Sequence, residues 1–373
     1  MSSKNSSSSS WSKNSAQYTT GVMYGLINGI MLIPITISFC TIIYRDEAFQ
    51  AYLPQLVKLV IFSSMIHQFA FSYFSSLPFA IGQVQDAGLI FLSAMAASIV
   101  HSIEDKDNIV PTTLVVLSIC TFLLGCMLIV VSRLKLATVI QYLPMPVIGG
   151  YLAFIGFFCG QAGLAMMAVV MGVLMYLVLC HTRTPYALPC SMLFILAGFY
   201  SLLLISGASL EDAREYGWIA PLALPEPFYH SWYLYDISRV EWVQLPRQFL
   251  RLVGMFLVVA FSSSLDVAAI EMELGLPLDY NKELNTVGMA NVLSGGLGGY
   301  TGSYIFSQTV FNLRRGVQSR ICGYTVRTVL YYTILYYTIL YYTILYYTIL
   351  YSTLYYTILY YTILYYTILY YTI

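Results

Sequence analysis

Charge is what this sequence has least of. Asp, Glu, Lys and Arg make up 9% of its 373 residues and hydrophobic residues 59%, where a soluble domain carries about 25% charged residues. Seventeen basic and seventeen acidic side chains cannot coat a globule of this size, so a water-soluble fold is all but excluded. The two signs balance and no basic stripe occurs, which speaks against nucleic acid as a partner. The seven cysteines form no CxxC and are odd in number. They read as reduced, buried, small hydrophobes rather than a disulfide or zinc framework. There is no HExxH, no GxSxG and no Walker loop, and the four histidines are scattered. Neither an enzyme, a metal centre nor a cofactor is expected.

The two ends differ from the middle. Residues 1–17 are rich in Ser and Asn, which leads to the expectation of a disordered, solvated cytoplasmic tail, and no apolar h-region of a cleaved signal peptide follows in the usual window. From Tyr331 the chain repeats the unit YYTIL, a five-residue period that belongs to no common repeat fold. The five-base unit TACTA, read three times over, encodes Tyr-Tyr-Thr-Ile-Leu, so the hypothesis is simple-sequence DNA that stays open in frame. Codon-diverse transcript reads across this stretch would defeat it. The expected organisation is therefore a tail over 1–17, a transmembrane domain over 18–325, and a low-complexity tail over 326–373.

A helix needs about 20 apolar residues to cross a bilayer core. The candidate spans are 18–43, 51–72, 78–100, 112–132, 144–160, 164–180, 187–206, 247–270, 285–298 and 303–313. With the N-terminal tail in the cytoplasm, Arg133, Lys135, Arg183, Arg314, Arg315 and Arg320 all fall inside, and the acidic loops 101–111 and 207–245 fall outside, as the positive-inside rule asks. The loop 271–283 is inside and net acidic, but acids weigh little in that rule. The chain is expected to be an all-α, multi-pass integral membrane protein, with the lipid bilayer as its first partner. Nothing separates the plasma membrane from vacuolar or other internal membranes. The stretch from Pro144 to Cys180 has no charge and would have to fold as two minimum-length spans around Gly160-Gln161-Ala162-Gly163.

Ionisable side chains within spans are costly and need a partner or a wet cavity. Lys58 and Arg251 can snorkel to an interface, and His67 can serve in packing. Asp86 and Asp266 are too short to snorkel; they either line a cavity or are buried and hydrogen-bonded. Gly288, Gly295, Gly296, Gly298, Gly299 and Gly302 interrupt an apolar segment and are followed by Ser303, Tyr304, Ser307 and Gln308. Such a break is tolerated at membrane depth only where backbone lines a cavity or is covered by protein. A helix starting there turns free N–H groups and a positive dipole end toward the gap, an anion site. The segment 75–86, with Pro78 and Gly82, is a weaker version. Paired interrupted segments mark the substrate site of inverted-repeat transporters; the competing reading is close helix packing through small residues.

The stretch LDYNKELNTVGMANVLSGGLGGYTGSYIFSQTVFNLRRGVQSRICGY (278–324) resembles the signature of sulfate permease (SulP) family anion transporters, in their permease-like fungal and protist branch. QYLPMPVIGGYLAFIGFFCGQ (141–161) is similar to that family's fifth span and LINGIMLIPITISF (26–39) to its first. The resemblance implies fourteen spans as two inverted seven-span repeats forming a core and a gate. The third and tenth are half-helices whose N-termini face each other across the anion, and a cytoplasmic STAS domain follows. On that basis the tenth-helix start falls on Tyr304, Ile305, Phe306 and Ser307, the third-helix start on Gly82, Gln83, Val84 and Gln85, and the acidic position of the eighth span on Asp266. Asp86 and Asp266 become proton-coupling candidates.

Several positions depart from the family pattern. Many members carry Arg after the helix-start Ser, where this chain has Gln308, and the Gln after the first-span proline is Ile35 here. Spans eleven to fourteen and the STAS domain have no expected counterpart. The implied fold is thus an incomplete 7+7 inverted-repeat transporter, and the implied activity is secondary transport of a small inorganic anion such as sulfate. The alternative is a non-transporting, truncated membrane fragment. A homodimer is left open.

Overall fold

The computed structural model describes residues 4–137 and 228–335, with side chains from Gln17 onward, and isolated positions between 181 and 212. All but those isolated positions belong to one compact unit, Met1–Tyr142 with Glu226–Leu335; a second unit covers Leu143–Pro225 and Tyr336–Ile373. The expected spans at 144–160, 164–180 and 187–206, the similarity at 141–161 and the repeat beyond 335 lie outside the described residues or touch them only at isolated positions.

Four helices are long and apolar enough to cross a bilayer among the described residues: Gln17–Ile43, Glu47–Phe74, Lys106–Arg133 and Phe249–Leu274. The first is the apolar part of α1 (Lys4–Ile43). This helix begins inside the Ser-rich segment where a disordered tail is expected. Serine is a middling helix former, but a helix already nucleated by its apolar part extends without a second nucleation cost. A 3-10 turn, Glu47–Tyr52, capped by Asp46 on the Ala48 N–H at 3.2 Å, leads into α2 (Leu53–Phe74). Pro54 stands in the first turn of α2, where its missing N–H has no intrahelical partner to lose.

The segment expected to span as 78–100 is broken. A short strand, β1 (Gly82–Val84), precedes α3 (Asp86–Val100). The 15 residues of α3 reach about 22 Å, less than the ~30 Å of a bilayer core. α4 (Lys106–Arg133) starts at Asp105, whose carboxylate accepts from the Asp107 N–H at 3.1 Å. α5 (Phe249–Leu274) ends on Gly275, whose φ of 68° suits glycine. α6 (Tyr280–Gly296) is capped by Asp279, which accepts from the N–H groups of Asn281 and Lys282 at 3.0 and 3.1 Å. The chain then forms β2 (Gly302–Tyr304) and a second short helix, α7 (Phe306–Arg314).

Glycine decides how closely these helices pack. A Cβ on Gly125 of α4 would stand 2.5 Å from the backbone N of Val292, and one on Gly295 of α6 would stand 2.4 Å from the N of Phe122. Backbone thus lies against backbone along the α4–α6 seam. Gly288 and Gly295 serve packing, the competing reading of that glycine cluster, while Gly298, with φ 82°, and Gly302 belong to the break.

A further helix, α8, covers 321–335. Helical structure thus continues past 325, where the transmembrane domain was expected to end, into the first residues of the YYTIL repeat. The reason lies in α1, where Gly21, Gly25 and Gly29 share one face. A Cβ on Gly25 would be 2.5 Å from the Thr325 Cβ, and one on Gly29 2.8 Å from the Val329 Cβ. This small-residue face seats α8 closely and buries Cys322, Val326 and Leu330.

Candidate functional site

The two interrupted segments meet. β1 and β2 pair antiparallel, with Gly82 opposite Tyr304, Gln83 opposite Ser303 and Val84 opposite Gly302. The ladder is extended by the Gln85 N–H to the Thr301 carbonyl at 3.1 Å and the Ile305 N–H to the Ile81 carbonyl at 2.9 Å. Because the strands run in opposite directions, α3 and α7 leave from opposite ends of the ladder and their N-termini are turned toward one another. Neither helix has a side-chain cap: Gln85 and Ile305 occupy the N-cap positions without capping bonds. The first-turn N–H groups of both helices therefore have no intrahelical acceptor. At α3 the Asp86 carboxylate takes one of them, the Ala87 N–H at 2.8 Å.

Close approach again depends on glycine. A Cβ on Gly82 would lie 2.1 Å from the Phe71 ring, and one on Gly302 would lie 2.4 Å from the Gln83 carbonyl and 2.6 Å from the His67 ring. Side chains of neighbouring helices satisfy the broken backbone. Gln68 of α2 accepts from the Gly82 N–H at 3.1 Å. Ser63 and Ser294 both donate to the Tyr300 carbonyl, at 3.0 and 2.9 Å. His67 Nε2 donates to the same oxygen at 2.9 Å, which fixes its tautomer. Non-helical backbone at membrane depth is thus covered by protein, as it must be.

α5 lays a polar stripe along the ladder. Gln85 Nε2 donates to Ser262 Oγ and Ser303 Oγ to Ser263 Oγ, each at 2.7 Å. One turn further on, Asp266 is only 6% exposed, has no hydrogen bond among the described residues, and lies within electrostatic reach of Asp86. Several buried polar atoms here have no partner among the described residues: Gln85 Oε1, Thr301 Oγ1, Ser307 Oγ, and both amide atoms of Gln308. Unpartnered buried polar atoms are rare in folded proteins and ask for a ligand or water.

The sequence-derived site residues are brought together in part. Gln83, Val84 and Gln85 lie on or beside β1, and Ile305, Phe306 and Ser307 surround the start of α7. α3 begins at Asp86, one residue past Gly82–Gln85, with Gln85 at its N-cap, and α7 begins at Phe306, within the expected 304–307. Tyr304 has two roles. Its backbone closes the ladder, while its hydroxyl donates to Glu283 and lies 2.9 Å from Ser75 Oγ. Asp266 is buried and Asp86 half-buried beside the site. Glu283, Asn291, Ser262 and Ser263 were missed. The Ser262-Ser263-Ser264 run inside a span was the available signal. No group of three or more His, Cys, Asp or Glu among the described residues is placed to hold a metal.

Two discontinuous helices, joined through a strand pair inside a set of spanning helices, define an all-α, polytopic membrane transporter. The sequence pattern of the Sulfate permease family matches residues 161–350, just over half of the chain; the chain belongs to that family. Membership places it among transport proteins rather than enzymes. It is similar to the vacuolar basic amino acid transporter VSB1 of Saccharomyces cerevisiae, with 23% identity over 336 residues, 81% of this chain and 32% of that protein. The chain thus spans about a third of that relative's length. Among solved structures it shares its fold with the transmembrane domain of a cyanobacterial bicarbonate transporter, BicA. The TM-score is 0.64 at 17% identity, covering 91% of this chain and 86% of the other. SLC26A9 matches with a TM-score of 0.50 at 15% identity, covering 91% and 57%.

Proposed function

We propose that this chain carries out secondary active transport of a small anion, whose negative group is held between the N-terminal ends of α3 and α7. The observation that carries this reading is the set of buried, partnerless polar atoms of Gln85, Thr301, Ser307 and Gln308 around two helix starts without side-chain caps. Free N–H groups and the positive dipole end supply attraction without a fixed cation. A sulfate-like inorganic anion fits such a site, with Gln83, Val84 and Gln85 on one side and Tyr304, Ile305, Phe306 and Ser307 on the other, Tyr304 through its backbone. Transport would follow from movement of the unit that holds these residues against the rest of the protein. Asp86 and Asp266 are the proposed proton carriers, since an entering proton offsets the anion's charge in a site that has Gln308 where many relatives have Arg.

A second reading is favoured by the same acids. A substrate with both a carboxylate and a cationic amine would set the first at the α7 start and the second near Asp86 and Asp266. The name of VSB1, a transporter of basic amino acids, gives this reading a concrete class.

Uptake of labelled sulfate, bicarbonate and arginine by the full chain in proteoliposomes tests both readings, with Asp266→Ala alongside. Uptake of an oxyanion supports the first reading, and uptake of arginine that Asp266→Ala abolishes supports the second. Stable, folded protein with no uptake of any of them leaves the chain a non-transporting membrane fragment. Light scattering of the purified protein reports whether it pairs as a homodimer.

A further inference from the structure

Glu283, in the first turn of α6, is a fully buried carboxylate with no cation bonded to it among the described residues. Its Oε1 accepts from the Ser76 N–H at 3.0 Å and from the Ser76 hydroxyl. Its Oε2 accepts from Ser75 Oγ at 2.9 Å and from the Tyr304 hydroxyl. Four donors thus converge on one carboxylate. They come from the two segments that lead into the short helices: Ser75 and Ser76 stand before β1, and Tyr304 is the last residue of β2, two positions before α7 begins. Arg320 closes the same corner from the other side. Its guanidinium donates to the Ser75 carbonyl at 2.7 Å and to the Ser72 carbonyl, covering the last carbonyls of α2.

Arg320 brings a positive charge to this corner but does not bond the carboxylate, and a buried carboxylate without a bonded cation is costly unless its oxygens are fully hydrogen-bonded. An apolar side chain could fill the space at lower cost, so the acid's use lies in what it holds. We infer that Glu283 is a positioning residue. By fixing the Tyr304 hydroxyl and the Ser75-Ser76 turn on one group, it sets the height of β2 against β1, and with it the direction of the free N–H groups at the start of α7. The Phe71 ring, edge-on to Tyr304 with centroids 4.4 Å apart, leaves the tyrosine no other seat. This inference concerns local geometry and holds whether the substrate is an inorganic anion or an amino acid.

The test is hydrogen exchange on the full chain in nanodiscs, with Glu283→Gln and Glu283→Asp. The amide of Glu283→Gln keeps the shape but presents N–H donors where acceptors are needed. Loss of bonds to a charged group predicts exchange over 301–309 faster by about tenfold or more, with residues 112–124 of α4 unchanged. Glu283→Asp, which keeps the charge, is expected to restore much of the protection. Where uptake is measurable, KM rises by a similar factor while the maximal rate stays within about twofold. The inference is overturned if exchange over 301–309 is unchanged in Glu283→Gln, if exchange rises equally in α4, or if the maximal rate falls at constant KM.

Discussion

Asn291 and Gly302 exchange two hydrogen bonds. The Asn291 amide oxygen accepts from the Gly302 N–H at 3.0 Å, and its Nδ2 donates to the Gly302 carbonyl at 2.8 Å. A side chain of α6 thereby acts as a third strand beside β2, and satisfies both backbone groups of a residue that no helix can serve.

Asn291→Ala removes both partners at once. Each orphaned buried backbone group costs roughly 1–3 kcal/mol, so the expected loss is at the upper end for a point change in this family of contacts. Asn285→Ala is the control, since Asn285 Oδ1 has no partner to lose among the described residues. Thermal unfolding in detergent should show a clear drop for the first and little for the second. Equal melting temperatures would contradict the role assigned to Asn291.

The neighbouring glycines of α6 offer a sharper contrast. A Cβ on Gly295 would collide with backbone of α4 at 2.4 Å, whereas one on Gly296 would meet its nearest atom, in the Phe122 ring, at 3.9 Å. Gly295→Ala should force the helices apart and destabilise by about 1–3 kcal/mol. Gly296→Ala should be neutral or slightly stabilising, because alanine favours helix. Side-by-side melting curves decide it, and similar losses for both would mean that the seam tolerates a methyl group.

Much of this architecture was legible in the sequence, and the limits have physical causes. Apolar runs and loop charge gave α1, α2, α4 and α5, because crossing a bilayer leaves a strong one-dimensional signal. The break near 300 was readable from Gly298, Gly299 and Gly302, and its partner near 82 from Pro78 and Gly82. The strand pairing between them was not, since β1 and β2 have three residues each and the pairing joins positions about 220 apart. Glu283 was counted among loop acids, as nothing local marks it for burial; its four donors come from distant segments. α8 was hidden because Val326, Leu330 and Ile334 recur at helical spacing only across the edge of the YYTIL repeat. Gly21, Gly25 and Gly29, spaced by four, were the overlooked signal.

That spacing yields its own test. Gly25→Leu places a branched side chain where Thr325 Cβ and the Cys322 carbonyl stand within 2.5 and 2.7 Å of a Cβ. α8 must then move from α1 and uncover Cys322, which is fully buried in the native packing. In a background with Cys322 as the sole cysteine, a membrane-permeant maleimide should label the Gly25→Leu variant many times faster than its parent. Unchanged labelling would show that α8 is held by other contacts.

Gln308→Arg tests how the site balances charge. Gln308 is fully buried, and neither of its amide atoms has a partner among the described residues. An arginine there would bring a permanent positive charge beside the α7 start, where the dipole is already positive. Empty, that arrangement is unfavourable, so the variant should be less stable without ligand and should gain stability when an oxyanion is added. A fixed cation strengthens an oxyanion's hold and repels an amine, and a differential interaction of about 1.4 kcal/mol is tenfold in affinity. Sulfate affinity should therefore rise by about tenfold or more while arginine uptake falls. The same cation should also lessen any need for a proton on Asp266 or Asp86, flattening the dependence of oxyanion uptake on pH. Affinities for both solutes that stay at their parental values would place Gln308 away from the substrate and return the partnerless amide to ordered water.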